Sequence, residues 1–312
     1  MITIFLLCLV VLTAGLAAQE QTLRVSYNPM PLNLPSMVLR RGAYLEGELA
    51  PLGWKVEWVS SLTTGPLMSE ALAAGALDIA AVMGESSAVI ARAAGNDLVV
   101  LAPYSVAPKA FAIVVPAEGG AADLKGLAGK RVGLPLGTTA HYLLARAMSA
   151  EGLSLAKVEV LNLGVPDAFT AVAGGKLDAA VLVEPVLTRA LAGGKVRLLR
   201  DGSGLIGGLT VTAVRGKLLR DNPDVVAAFL RAVTRAGKAL AADPEAAVSL
   251  GAEETKLPPE MVRKIAANYT FLEIPRADMI KELIAVADFL ADQKMIARRP
   301  SMDELVRQVP GQ

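Results

Sequence analysis

Cysteine and histidine each occur once in this 312-residue chain, and the two scarcities exclude most covalent and metal chemistry. Cys8 stands inside an uncharged apolar stretch, residues 2–18, closed by the small residues Ala14, Gly15, Ala17 and Ala18. The stretch is short for a membrane span and reads as a secretory signal, residues 1–18, that is cleaved. No Lys or Arg precedes it, so an uncleaved anchor is the alternative. Mostly apolar residues follow Cys8, which is not the setting of a lipid-attachment cysteine. Without the signal the chain has no cysteine, hence no disulfide and no thiol nucleophile. His141 has no histidine or cysteine partner, so no metal centre is read. Neither sign of charge dominates: 31 Lys and Arg against 30 Asp and Glu leave a net charge of +1, which gives no footprint for nucleic acid. After residue 18 no segment is long and apolar enough to span a membrane. Walker and dinucleotide motifs are absent. No serine stands in a Gly-x-Ser-x-Gly setting, and Gly202-Ser203-Gly204 has no following helix to make a phosphate site. No catalytic arrangement is read, and no cofactor or metal.

What is present is a duplication. Ala71-Leu72-Ala73-Ala74-Gly75-Ala76-Leu77-Asp78-Ile79-Ala80-Ala81-Val82 is matched by Ala171-Val172-Ala173-Gly174-Gly175-Lys176-Leu177-Asp178-Ala179-Ala180-Val181-Leu182. Each copy reads as a helix end, a glycine stop and a short strand opened by Leu-Asp. Gly75 and Gly175 suit the left-handed residue that ends a helix. The apolar runs suit parallel strands covered on both faces. Gly84-Glu85-Ser86 follows the first strand and Glu184-Pro185 the second, each leading into an Ala-rich helix. The period is too long for a solenoid repeat. It predicts an α/β protein of two similar lobes, and 312 residues suffice for two cores.

Loops at the carboxyl ends of parallel strands are where open α/β sheets bind ligands. Asn28 and Pro29 follow the first strand; their plain reading is a turn. Thr63-Thr64-Gly65-Pro66 combines a hydroxyl cap with an early proline. Gly137-Thr138-Thr139, between a strand and a helix, offers backbone N–H groups and hydroxyls as an anion nest; its plain reading is again a helix cap. Ser86 is a cap or a donor. Pro166-Asp167 opens the helix leading into the second repeat, and His141 stands in the first turn of its helix. One helix is predicted over residues 35–49. From Asn222 onward the chain reads as nearly all helix, with no role beyond packing on the first lobe.

Taken in order, Thr64-Gly65-Pro66, the run from Glu70 to Asp78, Ala91-Arg92-Ala93-Ala94-Gly95, Asp123-Leu124-Lys125-Gly126, Arg131-Val132, Gly137-Thr138-Thr139-Ala140-His141 and Lys176-Leu177-Asp178-Ala179 are similar to the solute-binding proteins of ABC importers. The resemblance lies with the branch serving aliphatic sulfonates, taurine, nitrate and thiamine precursors, nearest its alkanesulfonate-binding members, and covers roughly residues 23–214. It implies a type II periplasmic-binding-protein fold: two α/β lobes joined by two crossing strands, with C-terminal helices on lobe 1. The implied division is 19–106 and 206–312 for lobe 1, and 107–205 for lobe 2. It further implies an extracytoplasmic monomer that closes on a small-molecule ligand and serves a permease and an ATPase. His141 matches a histidine of the sulfonate-binding branch. Those relatives often carry an aromatic residue and an aspartate where Val183-Glu184-Pro185 stands here. An enzyme on the same scaffold, as in thiamine-precursor synthesis, and a ligand-sensing domain are the competing classes.

The loops also imply a ligand charge. None carries arginine, while Glu85 and Glu184 occupy equivalent places, one per lobe. Two cleft-facing carboxylates would repel a purely anionic ligand. A zwitterion, with its anionic end at the hydroxyl nests and an amine near Glu184, is the expectation.

Overall fold

The computed structural model describes residues 21–308; the predicted signal, residues 1–18, lies outside them. The strands are β1 (Gln21–Ser26), β2 (Trp54–Val59), β3 (Ile79–Gly84), β4 (Leu98–Val106), β5 (Phe111–Pro116), β6 (Arg131–Leu134), β7 (Glu159–Asn162), β8 (Ala179–Val183), β9 (Val196–Asp201), β10 (Leu209–Arg215) and β11 (Thr270–Phe271). They form two sheets, ordered β11-β4-β10-β3-β1-β2 and β7-β6-β8-β5-β9. Both sheets follow one plan. Three parallel strands, β2-β1-β3 or β7-β6-β8, are continued by one antiparallel strand, β10 or β5. That antiparallel strand is in each case the one arriving from the other sheet. The chain crosses outward through Pro108–Ala110 and returns through the glycine-rich stretch before β10. This is the two-lobed α/β periplasmic-binding-protein architecture.

The duplicated segments end in β3 and β8, the strands that join the parallel part of each sheet to its antiparallel part. Gly75 and Gly175 both adopt the left-handed conformation, at φ 71° and 70°, which turns each helix end into the next strand. The Leu-Asp pair that follows has one job in both copies. Asp78 donates its backbone N–H to the Arg24 carbonyl at 2.9 Å, and its carboxylate accepts the Arg24 N–H at 3.0 Å. Asp178 does the same with Arg131, at 3.1 and 2.9 Å. Each aspartate thus fixes the register of its strand against the parallel neighbour. The copies differ in burial. Asp78 is 2% exposed and also takes the Arg215 guanidinium from β10 at 2.5 Å, whereas the Asp178 side chain is 36% exposed beside Lys130 and Arg131.

Two expectations change. The helix predicted over residues 35–49 is two, Leu34–Arg41 and Tyr44–Leu49, broken where Ala43 turns left-handed at φ 47°. The Tyr44 ring lies across Gly42, where a methyl group would come within 2.7 Å of it. From Asn222 onward the chain is nearly all helix, as expected, with one addition: β11 adds two residues to the edge of β4, too few to leave a period in the sequence. The last long helix, Arg276–Asp292, packs on the lobe 1 helix Glu85–Ala93 and also reaches lobe 2. There Phe289 meets Tyr142 edge-on at 5.5 Å. Apolar side chains of both lobes, Met83 and Leu98 with Tyr142 and Leu143, consequently share one core.

The aspartate pair sets a stability test. Asp78→Ala leaves Arg215 facing a buried gap and is expected to cost about 3–5 kcal/mol; Asp178→Ala, in a half-exposed setting, about 1 kcal/mol. Urea unfolding of the two variants measures the difference, and equal losses would refute the burial argument.

Candidate functional site

The carboxyl ends of the parallel strands carry the loops singled out in the sequence, and three of these meet across the two lobes. From lobe 1 come Gly65, opening helix Gly65–Ala74, and Gly84-Glu85-Ser86, opening helix Glu85–Ala93. From lobe 2 comes Gly137-Thr138-Thr139, opening helix Thr139–Ala150. The Ser87 hydroxyl donates to the Gly137 carbonyl at 2.7 Å, and the Thr139 hydroxyl to the Glu85 carboxyl at 3.0 Å. The approach leaves no room for side chains at two glycines. A methyl at Gly84 would lie 2.5 Å from the Thr139 hydroxyl, and one at Gly65 2.3 Å from the Ser87 hydroxyl.

The hydroxyls do not do what the sequence implies. Thr64 and Thr138 occupy the N-cap positions of their helices, but neither side chain caps. Thr138 donates instead to the Pro135 carbonyl at 2.7 Å. The Ser86 hydroxyl is buried without a partner. All three helices therefore open without a side-chain hydrogen bond at the N-cap position; at Glu85 the residue's own carboxyl faces the first N–H groups, so the ends left open to an anion are those at Gly65 and Thr139.

His141 is bound into its own loop. Its Nδ1 accepts the Gly137 N–H at 3.5 Å, a tautomer that leaves Nε2–H as the free donor. Burial pulls its pKa below the ordinary value, so the ring is neutral near pH 7.

The two carboxylates stand differently. Glu85 is fully buried. Desolvation pushes its pKa up to about 8; the nearby N–H groups of Glu85 and Ser86 and the Thr139 hydroxyl act the other way, and the Glu282 carboxylate adds to the rise. Glu85 is therefore mostly protonated at neutral pH and does not repel an anion as the sequence implied. Glu184 is 5% exposed and accepts from the Thr188 N–H at 3.1 Å and the Thr188 hydroxyl at 2.8 Å. Burial raises its pKa, while Lys264, from the C-terminal part of lobe 1, acts the other way.

The remaining candidates are scattered. Asn28 and Pro29 are half-buried after β1, where the Asn28 carbonyl accepts from the Asn33 side chain at 2.7 Å. Thr63 is exposed. Asp167 is exposed in the first turn of helix Val165–Ala173, next to the edge strand β7. Ser87, Glu282 and Tyr269 were not legible as site residues. Ser87 and Glu282 owe their places to packing between distant segments. Tyr269 holds a buried, unpartnered hydroxyl whose pKa is raised by burial and by the Glu184 carboxylate. A separate cleft of about 940 Å³ on lobe 1, walled by Val233, Leu240, Val248, Tyr269 and Phe271, includes none of the predicted residues. Among the described residues no group of acidic, His or Cys side chains is arranged to hold a metal, and no helix is long and apolar enough to cross a membrane.

The NMT1/THI5 like family model matches residues 63–247. A protein of Escherichia coli (strain K12) described as "Putative aliphatic sulfonates-binding protein" is 32% identical over 195 residues, 62% of this chain and 59% of that protein. The chain thus spans under two thirds of that relative's length. A protein of Bacillus subtilis (strain 168) with the same description is 27% identical over 87% of this chain and 82% of its own. Among solved structures, the alkanesulfonate-binding protein SsuA from Xanthomonas axonopodis pv. citri, bound to MOPS, superposes with a TM-score of 0.81. It is 27% identical, over 94% of this chain and 100% of that one.

The histidine geometry is testable because the chain holds a single imidazole. Its NMR titration midpoint is expected below about 6.5, the unperturbed value. The Gly137 amide should shift with the same midpoint, since protonated Nδ1 no longer accepts. A midpoint above the unperturbed value, or an unresponsive Gly137, contradicts this arrangement.

Proposed function

The chain belongs to the NMT1/THI5-like family, and on that premise we propose that it is an extracytoplasmic solute-binding protein. It takes a small organic anion between its lobes and hands it to the permease and ATPase of an ABC importer. One observation carries the reading: helix N-termini from both lobes, at Gly65 and Thr139, open without side-chain caps beside the bonds Ser87–Gly137 and Thr139–Glu85 that join the lobes. Their backbone N–H groups suit an oxyanion such as a sulfonate. The relatives' descriptions as sulfonate-binding proteins support that class. With Glu85 protonated, Glu184 is the carboxylate left to receive a donor end, which favours aminosulfonates over plain ones. The solute contacts are assigned to Gly65, Ser86, Gly137, Thr139, His141 and Glu184. Residues 19–106 and 206–312 are taken as one lobe and 107–205 as the other. The protein works as a monomer after losing residues 1–18.

Calorimetry with taurine, ethanesulfonate and glucose tests the reading. Both sulfonates are expected to bind, taurine more tightly, and glucose not at all. Replacing Thr138 and Thr139 together by alanine removes the Thr138–Pro135 bond that shapes the loop and the Thr139–Glu85 bond across the lobes, and should weaken binding about tenfold, as for one or two lost hydrogen bonds. Glu184→Gln should erase the preference for taurine. A protein that binds neither sulfonate refutes the assignment.

A further inference from the structure

We propose that Glu85 is a proton-binding site that couples closure of the two lobes, and with it solute capture, to pH. The solute half rests on the function proposed above; the closure half stands on the packing of the seam.

Glu85 lies at that seam, not on one lobe's surface. One carboxyl oxygen accepts from Thr139 of the opposite lobe, and the other is buried without a partner. The groups facing it come from each packed element. Helix Arg276–Asp292 presents Glu282, which accepts the Gly207 N–H of the returning crossing at 2.9 Å. Helix Thr139–Ala150 presents Thr139 and Tyr142, whose phenol Glu85 itself helps to push upward. Arg146 of that helix lies over the Phe289 ring at 5.0 Å. Its own helix presents Ser86. Among the described residues no cation pairs with Glu85, while a second carboxylate is near. An ionised carboxylate is disfavoured in such a place, and the bound proton resolves the conflict. Parting the lobes removes Thr139 and Tyr142 and admits water, which returns the carboxyl towards its ordinary range near 4.3. Closure therefore takes up a proton between that range and about 8. In that window the closed form loses up to about tenfold in population for each rising pH unit.

The sign is the same for folding. A carboxyl whose pKa is raised in the folded state gives stability that is complete below its unfolded value and is lost as pH rises through the folded one. Glu184 shifts in the same direction and His141 in the opposite one, so only the difference between wild type and Glu85→Gln isolates the site. The amide keeps the shape and the acceptor for Thr139 but cannot ionise.

The experiment has two arms. Without solute, carbon-13 NMR of the glutamate carboxyls, assigned by the signal missing in Glu85→Gln, should show Glu85 titrating near pH 8. Thermal unfolding from pH 5 to 9 should fall further for wild type than for the variant. A midpoint near 4, or parallel unfolding curves, overturns the proposal whether or not any sulfonate binds. With taurine, the ratio of affinities at pH 6 and pH 8 should be about ten- to fiftyfold larger for wild type than for Glu85→Gln. Equal ratios overturn the coupling to solute.

Discussion

Two strand junctions carry this fold, and an aspartate closes each. A parallel strand that arrives from a helix has nothing of its own to set its register. Here the side chain of the first residue reaches back to the neighbouring strand's N–H while its own N–H meets that residue's carbonyl. One residue thus fixes β3 against β1, and another β8 against β6. Everything at the carboxyl ends of those strands inherits the position, because a slip of one residue would turn Gly84 and Glu184 to the opposite face. In lobe 1 the same aspartate also holds Arg215 of β10, so the parallel and antiparallel parts of that sheet share one anchor.

The seam between the lobes depends on those positions. Two glycines allow hydroxyls to approach backbone and carboxyl closely enough for direct bonds across it. Around them the packing is apolar, with Tyr142 edge-on to Phe289 from the last long helix. An apolar boundary of this kind raises the weight of every polar group left in it. Glu85 and the unpartnered Ser86 hydroxyl are the two groups on which that weight falls.

The parts legible in the sequence are those whose causes are local. Glycines 75 and 175 announce helix ends through their own φ, and the Leu-Asp pair announces a strand start through a bond one strand away. The order of loops follows from topology, so the convergence of residues 65, 84–87 and 137–139 is foreshadowed by their places after parallel strands. What was not legible depends on contacts between distant segments. Nothing near Thr138 says that its hydroxyl turns back to Pro135 rather than capping. Nothing around Glu282 says that it faces a second buried carboxylate. The burial that holds a proton on Glu85 is made by three elements far apart in the chain, so a charge read from the sequence alone had the wrong sign of consequence. Two-residue β11 and the break at Ala43 were missed because each is shorter than any period.

The placement of β10 has a consequence for the order in which the molecule can assemble during synthesis. β5 and β9, the first and last strands of the second sheet, are paired neighbours, so that sheet is complete as soon as β9 has been made. The first sheet begins earlier but cannot finish: β3 and β4 are held apart by β10, which is translated after the entire second sheet. The lobe that starts first on the ribosome is the last to fold, and until β10 arrives it presents two open strand edges. Pairing those two edges is the step that completes the lobe, so the insertion of one late strand decides when the first half of the chain becomes a closed sheet.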